Sequence, residues 1–181
     1  MNKMPGRHYQ RIYLLSHMRA YSSLIGHILG SHPQINGYYE MHLSYLEATH
    51  LDEQLRFYTQ TESLKAGSSY LFDKLLHNDY TLDPRILADS DDRVLVSLRA
   101  PEFCLKSIIH LFQTKQTVEP YADPKQATDY YTERLKSLAA FSRENPGRYY
   151  YFDAELIKTE SQKLLQALTR WCELTSVLSD R

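Results

Sequence analysis

The segment that most constrains this chain is residues 11–33, RIYLLSHMRAYSSLIGHILGSHP. The apolar run RIYLLS shows no alternation, as expected of a parallel strand buried on both faces. A polar loop follows. Leu24, Ile25, Ile28 and Leu29 then recur at helical spacing, with Ser22 as the expected N-cap and Gly30 and Pro33 as the stop. Strand, loop and helix in this order set free backbone N–H groups and the positive end of a helix dipole beside a strand end, which is how proteins bind phosphate. The loop SHMRAYSS has neither glycine nor lysine, so it is not the GxxxxGK[ST] loop of nucleotide kinases. Arg19 can replace the lysine, because a guanidinium forks onto two phosphate oxygens. Ser22 and Ser23 can add hydroxyl donors. Taken alone, the loop reads equally well as a capped helix with a surface arginine.

The rest of the chain alternates in the same way. Strands are expected at residues 35–40, 69–74, 92–99 and 148–153. Helices are expected at 43–58, 101–112, 127–145 and 160–174, with a short one opening near Pro84. This alternation argues an α/β fold, a three-layer sandwich around a mostly parallel central sheet. Right-handed crossovers then gather the strand C-terminal ends on one edge, where ligands bind. The 181 residues suit a single domain over 1–181, with residues 1–10 as a flexible tail.

Charge and composition narrow the partners. A net charge of −1 gives no support to wholesale nucleic-acid binding. No apolar run approaches the roughly 20 residues of a membrane span, and the N-terminus lacks a secretory apolar region. A cytoplasmic protein without a transmembrane segment is expected. Cys104 and Cys172 stand apart in helical apolar patterns, as small buried hydrophobes do. The histidines are scattered without zinc spacing, so no metal is expected.

A second candidate anion site is LRAPEFCLKS. Arg99 ends the strongest strand pattern, at the ligand-binding edge, and Ser107 lies about two helical turns on. Together with the first loop, these residues resemble the PAPS-dependent sulfotransferases, which have a P-loop NTPase-like fold. RAYSSL followed by ILGSHPQINGYYE is similar to that family's 5′-phosphosulfate loop, and LRAPEFCLKS to its 3′-phosphate segment. YLFDKLLHN and RYYYFDAELI resemble two further family segments, so the likeness spans about residues 11–174. Tyr21 stands where the family loop usually has glycine, and Leu75-Leu76 where proline is common. Family members run longer, so the C-terminal loop that covers the cofactor in many relatives is expected to be missing: a small bacterial-type or truncated member, or a chain whose site a homodimer or other partner completes.

The resemblance implies roles. Arg19, Ala20, Tyr21, Ser22 and Ser23 would hold the 5′-phosphosulfate of PAPS (3′-phosphoadenosine 5′-phosphosulfate). Arg99 and Ser107 would hold the 3′-phosphate, and Tyr151 would lie beside the nucleotide. Glu40 matches the glutamate base of several branches. His42, two residues on, is the competing base. Lys74, at a strand end, would stabilise the leaving group, or else pair with neighbouring Asp73. The expected function is sulfuryl transfer to a hydroxyl or amine of a small-molecule, lipid or carbohydrate acceptor, by in-line displacement without a metal. The aromatic residues of 41–68 and 115–132, among them Tyr45, Tyr58, Tyr130 and Tyr131, are candidates for the acceptor pocket. A non-catalytic nucleotide-binding or interaction relative is the alternative. A small-molecule kinase fits less well, because VLVSLR ends in arginine rather than in a magnesium-binding aspartate.

Overall fold

The computed structural model describes residues 9–88, 90–117 and 119–179. Five strands form its centre: β1 (Gln10–Leu15), β2 (Ile35–Asn36), β3 (Tyr70–Leu75), β4 (Arg93–Leu98) and β5 (Tyr149–Asp153). All pair in parallel, in the order β2-β3-β1-β4-β5. β1 is therefore central, and its apolar run is buried on both sides.

Residues alternate between two faces, as strand geometry requires. Ile12, Leu14, Tyr70, Phe72 and Leu95 pack under α1 (Ser22–Ser31), with Leu164, Leu165 and Leu168 of the last helix. Tyr13, Leu15, Leu75, Val94 and Val96 face the opposite way, onto Leu138 and Phe141. Those two belong to the 21-residue helix Pro124–Glu144. The helices between are α2 (Thr49–Thr61) and α3 (Pro101–Gln113), so Pro124–Glu144 is α4. A single turn, α5 (Leu156–Thr159), precedes α6 (Ser161–Trp171). The result is the helix–sheet–helix sandwich expected from the alternation.

The boundaries differ from expectation where local hydrogen bonds win. The tail expected over 1–10 ends early: Tyr9 is buried and Gln10 opens β1, while residues 1–8 lie outside the described residues. Ser22 is not the N-cap; Tyr21 is, in the left-handed region, and Ser22 is already helical. The strand expected at 35–40 is two residues long, because Gly37 (φ 88°) turns the chain away. The helix expected from residue 43 begins at Thr49. Tyr45 instead bridges to Leu82, with its N–H donating to Thr81 O (2.7 Å) and its O accepting from Asp83 N (2.8 Å). Near Pro84 the chain makes a 3-10 turn, Pro84–Leu87, capped by Asp83. Both cysteines are free and buried, and burial pushes their thiols up, to about 11 for Cys104 and about 12 for Cys172. No helix among the described residues is long and apolar enough to cross a membrane.

Candidate active site

The loop after β1 is held from beneath. Ser16 Oγ donates to Ser97 O (2.8 Å) and accepts from Ser97 Oγ (2.9 Å), stitching the ends of β1 and β4. His17 is fully buried; its Nε2 accepts from Arg99 N (3.0 Å), so Nδ1 carries the proton and donates to Met18 O (2.9 Å). Burial lowers its pKa, and the ring serves as a pin between two loops. Arg19 (φ 63°) and Tyr21 (φ 55°) both take left-handed backbone, with buried Ala20 between them. That conformation costs a non-glycine residue about 1 kcal/mol or more. It turns the chain sharply into α1, whose first amides have no partner within the helix. Beside this helix start lies a cavity of about 250 Å³ lined by Arg19, Tyr21, Ser22, Ser23, Leu24 and Arg99.

Arg99 and Ser107 both hydrogen-bond to Arg19 of the loop. Arg19 Nε donates to Ser107 Oγ (2.8 Å). Arg99 gives Nε to Glu155 Oε1 (2.7 Å), Nη2 to the Tyr21 hydroxyl (2.7 Å) and Nη1 to Arg19 O (3.1 Å). Its guanidinium stacks on the Tyr21 ring at 4.4 Å, and Lys158 Nζ lies at the same distance from that ring. Tyr21 thus gains contacts with two cations in return for its strained backbone. The hydrogen bond from Arg99 holds the Glu155 carboxyl below its usual range. Tyr151 is exposed on β5 and does not line the cavity.

Glu40 and Lys74 stand on the neighbouring strand ends. Glu40 follows the short β2; its Oε1 accepts from Leu76 N (3.4 Å) and lies 3.9 Å from His77 Nε2, while Oε2 lies 3.8 Å from His42 Nε2. His42 is exposed and left-handed (φ 57°). Lys74 is buried near the end of β3. Burial lowers its pKa, against the opposing pull of Glu40 and Asp73. The alternative of a Lys74–Asp73 salt bridge is not what forms. Successive strand residues face opposite ways, and Asp73 accepts instead from Tyr45 O–H (2.6 Å), Met41 N (2.9 Å) and Lys74 N (2.7 Å).

Several solved structures share this architecture. The chain superposes on the sulfotransferase domain from the curacin biosynthetic pathway with a TM-score of 0.62, at 17% identity, covering 94% of this chain and 76% of that one. It has the sulfotransferase fold. A mouse sulfotransferase, SULT7A1, complexed with PAP, gives 0.62 at 12% identity over 92% of this chain and 59% of that one. Sulfotransferase STF1 from Mycobacterium tuberculosis H37Rv gives 0.61 at 12% identity over 92% and 68%. No family model matches the sequence. No curated protein matches it either.

On this sulfotransferase fold, several residues that bear on the site escape sequence reasoning. Glu155 lies within RYYYFDAELI, but the sequence assigns it no role. Tyr130 and Tyr131, which look like acceptor-pocket aromatics, are buried hydrogen-bonding groups, and Tyr45 and Tyr58 are buried in the core. Tyr130 O–H donates to Leu76 O (2.7 Å) and accepts from Met18 N (2.8 Å), and Tyr131 O–H donates to Arg99 O (2.9 Å). Arg134, one turn on, gives Nε to Ser16 O (2.7 Å), Nη1 to His77 O (3.2 Å) and Nη2 to Leu75 O. The available signal was an arginine on the apolar stripe of an amphipathic helix, a place where arginine must find acceptors.

Proposed function

We propose that this chain transfers the sulfuryl group of PAPS to a hydroxyl or amine acceptor. The carrying observation is the convergence, at one sheet edge, of an arginine-bearing loop at the start of α1, a buried lysine and a half-buried glutamate. The α1 amides, Arg19, Ser22 and Ser23 hold the 5′-phosphosulfate. Arg99 and Ser107 hold the 3′-phosphate. Glu40 takes the acceptor's proton as the acceptor oxygen or nitrogen attacks sulfur in line with the departing phosphate oxygen. Lys74 offsets the charge that builds on that oxygen. The mouse structure holding PAP supports a nucleotide with phosphates at both 3′ and 5′ positions as the ligand of this fold.

One observation favours a second reading, a nucleotide-binding relative without turnover: Arg99 and Arg19 are engaged by Glu155 and Ser107. The experiment pairs thermal shift with turnover. At large excess over its dissociation constant, 3′,5′-ADP raises stability by about 2–4 kcal/mol. ATP-Mg does not. Stabilisation by ATP-Mg alone removes PAPS from consideration. Glu40→Gln then lowers kcat by about 10²–10⁴-fold while 3′,5′-ADP affinity stays nearly constant. Turnover at the unsubstituted rate removes Glu40 from the base role, and absence of turnover in the unsubstituted chain across hydroxyl and amine acceptors favours the second reading.

A further inference from the structure

The same sheet edge brings together three groups that sequence spacing does not connect. Glu40 and His42 come from the loop after β2, and His77 from the loop after β3. One ligand atom from each, a carboxylate oxygen and two imidazole nitrogens, lies within 4.8 Å of the others. Some point then lies within about 2.8 Å of all three atoms, against metal bonds of about 2.0–2.2 Å for nitrogen and oxygen. Rotations that move each atom by less than about 1 Å therefore close a three-ligand site.

The supports for these ligands are built in. Leu76 N donates to Glu40 Oε1 (3.4 Å), and Arg134 holds the His77 carbonyl (3.2 Å). The left-handed backbone at His42 turns its ring back toward the carboxylate it follows. Glu40 and His77 are half-buried and His42 is exposed, so the open side faces solvent. We propose that Glu40, His42 and His77 form a binding site for a divalent transition ion of borderline softness, with Zn²⁺ as the leading occupant. Two imidazoles and a carboxylate suit Zn²⁺, Co²⁺ or Ni²⁺ and not the all-oxygen preference of Mg²⁺ or Ca²⁺. Among the described residues neither imidazole passes a hydrogen bond to a further carboxylate or carbonyl. That sets the affinity below that of a structural zinc site.

The consequence for activity rests on the reading of Glu40 as the base. A carboxylate bound to a divalent cation keeps free lone pairs but is a much weaker base, so occupancy inhibits transfer. The test reads binding and inhibition separately. Untagged, metal-free chain is titrated with Co²⁺, and the visible d–d absorption of the bound ion is followed; Zn²⁺ is then added in competition. One equivalent of Co²⁺, displaced by Zn²⁺ but not by Mg²⁺ or Ca²⁺, is expected. Glu40→Gln and His77→Ala, each checked for folding by circular dichroism, are expected to bind about tenfold or more weakly. No stoichiometric Co²⁺ spectrum, or full binding retained in both variants, overturns the site. Transfer assayed with and without Zn²⁺, and again after chelation, should fall and recover. Binding with unchanged transfer supports the metal site and overturns the base role of Glu40 instead.

Discussion

Arg99 donates to three groups of its own chain: the Glu155 carboxylate, the Tyr21 hydroxyl and the Arg19 carbonyl. A phosphate that binds this guanidinium must compete with Glu155. Removing the competitor's charge should therefore help the phosphate. Glu155→Gln is expected to raise affinity for 3′,5′-ADP by about two- to fivefold, the range of a partly exposed ion pair. Calorimetric titration measures it, and unchanged or weaker binding would take Arg99 off the phosphate. At this scale the sequence is legible for residue types and blind to pairings. Arg19, Ser22, Ser23 and Arg99 stand out because a strand end and a helix start need donors there, and they do line one cavity. Glu155 lies 56 residues from Arg99, and no spacing rule connects them. Tyr21 has no account in the sequence for the same reason: what offsets its left-handed backbone is supplied by Arg99 and Lys158, both remote along the chain.

Among elements, α4 and α1 do most to place the site. One face of α4 presents Tyr130, Tyr131 and Arg134 to the loops after β1, β3 and β4, and these three side chains satisfy backbone groups at Ser16, Met18, Leu75, Leu76, His77 and Arg99. Arg134→Met would keep the stem and take a donor from three carbonyls, of which Leu75 O and His77 O retain Ser16 N (3.2 Å) and Tyr80 N (3.4 Å). Unfolding free energy should fall by about 2–4 kcal/mol, measured by urea denaturation; a loss under about 0.5 kcal/mol would show the clamp dispensable. On the other side, α1 approaches the loop after β2 so closely that a Cβ at Gly26 would lie 2.4 Å from Tyr38 O. In an open helix Gly→Ala gains about 1 kcal/mol. Here helix and loop must part, and that loop carries Glu40. Gly26→Ala is expected to lose stability and to lower kcat while nucleotide affinity holds. A stabilised, fully active variant would show that the contact yields at no cost. Periodicity reveals both helices but not these attachments, because apolar spacing says which face is buried and nothing of what a buried arginine or glycine meets there.

Over the whole molecule, the order of strands and helices is readable because a parallel sheet buried on both faces writes unbroken apolar runs, and RIYLLS and VLVSL are such runs. Short or polar segments are not, since single interactions decide them: the bridge at Tyr45 delays α2, and Gly37 cuts β2 short. Asp73 shows how one such group reaches global stability. It is buried in β3, and burial raises its pKa to about 7, although Tyr45, Met41 and Lys74 donate to it. The unfolded carboxyl titrates near 3.8. Between these values the folded chain holds a proton that the unfolded chain releases, so unfolding free energy falls as pH rises from about 4 to about 7 and levels off above. A shift of this size corresponds to about 4 kcal/mol across the window. Buried His17 and His32, both with lowered pKa, act in the opposite sense near pH 6.5, so the aspartate is isolated by difference. In Asp73→Asn the amide oxygen can still accept from Met41 N and Lys74 N, both of which meet Oδ1, while Tyr45 O–H turns from donor to acceptor toward the new NH₂ group. The variant should therefore fold, and its stability relative to the unsubstituted chain should rise steadily from pH 4.5 to pH 7.5 in urea denaturation. Parallel stability curves for the two proteins over that range would mean that Asp73 ionises at its ordinary pKa and that its burial costs the fold nothing.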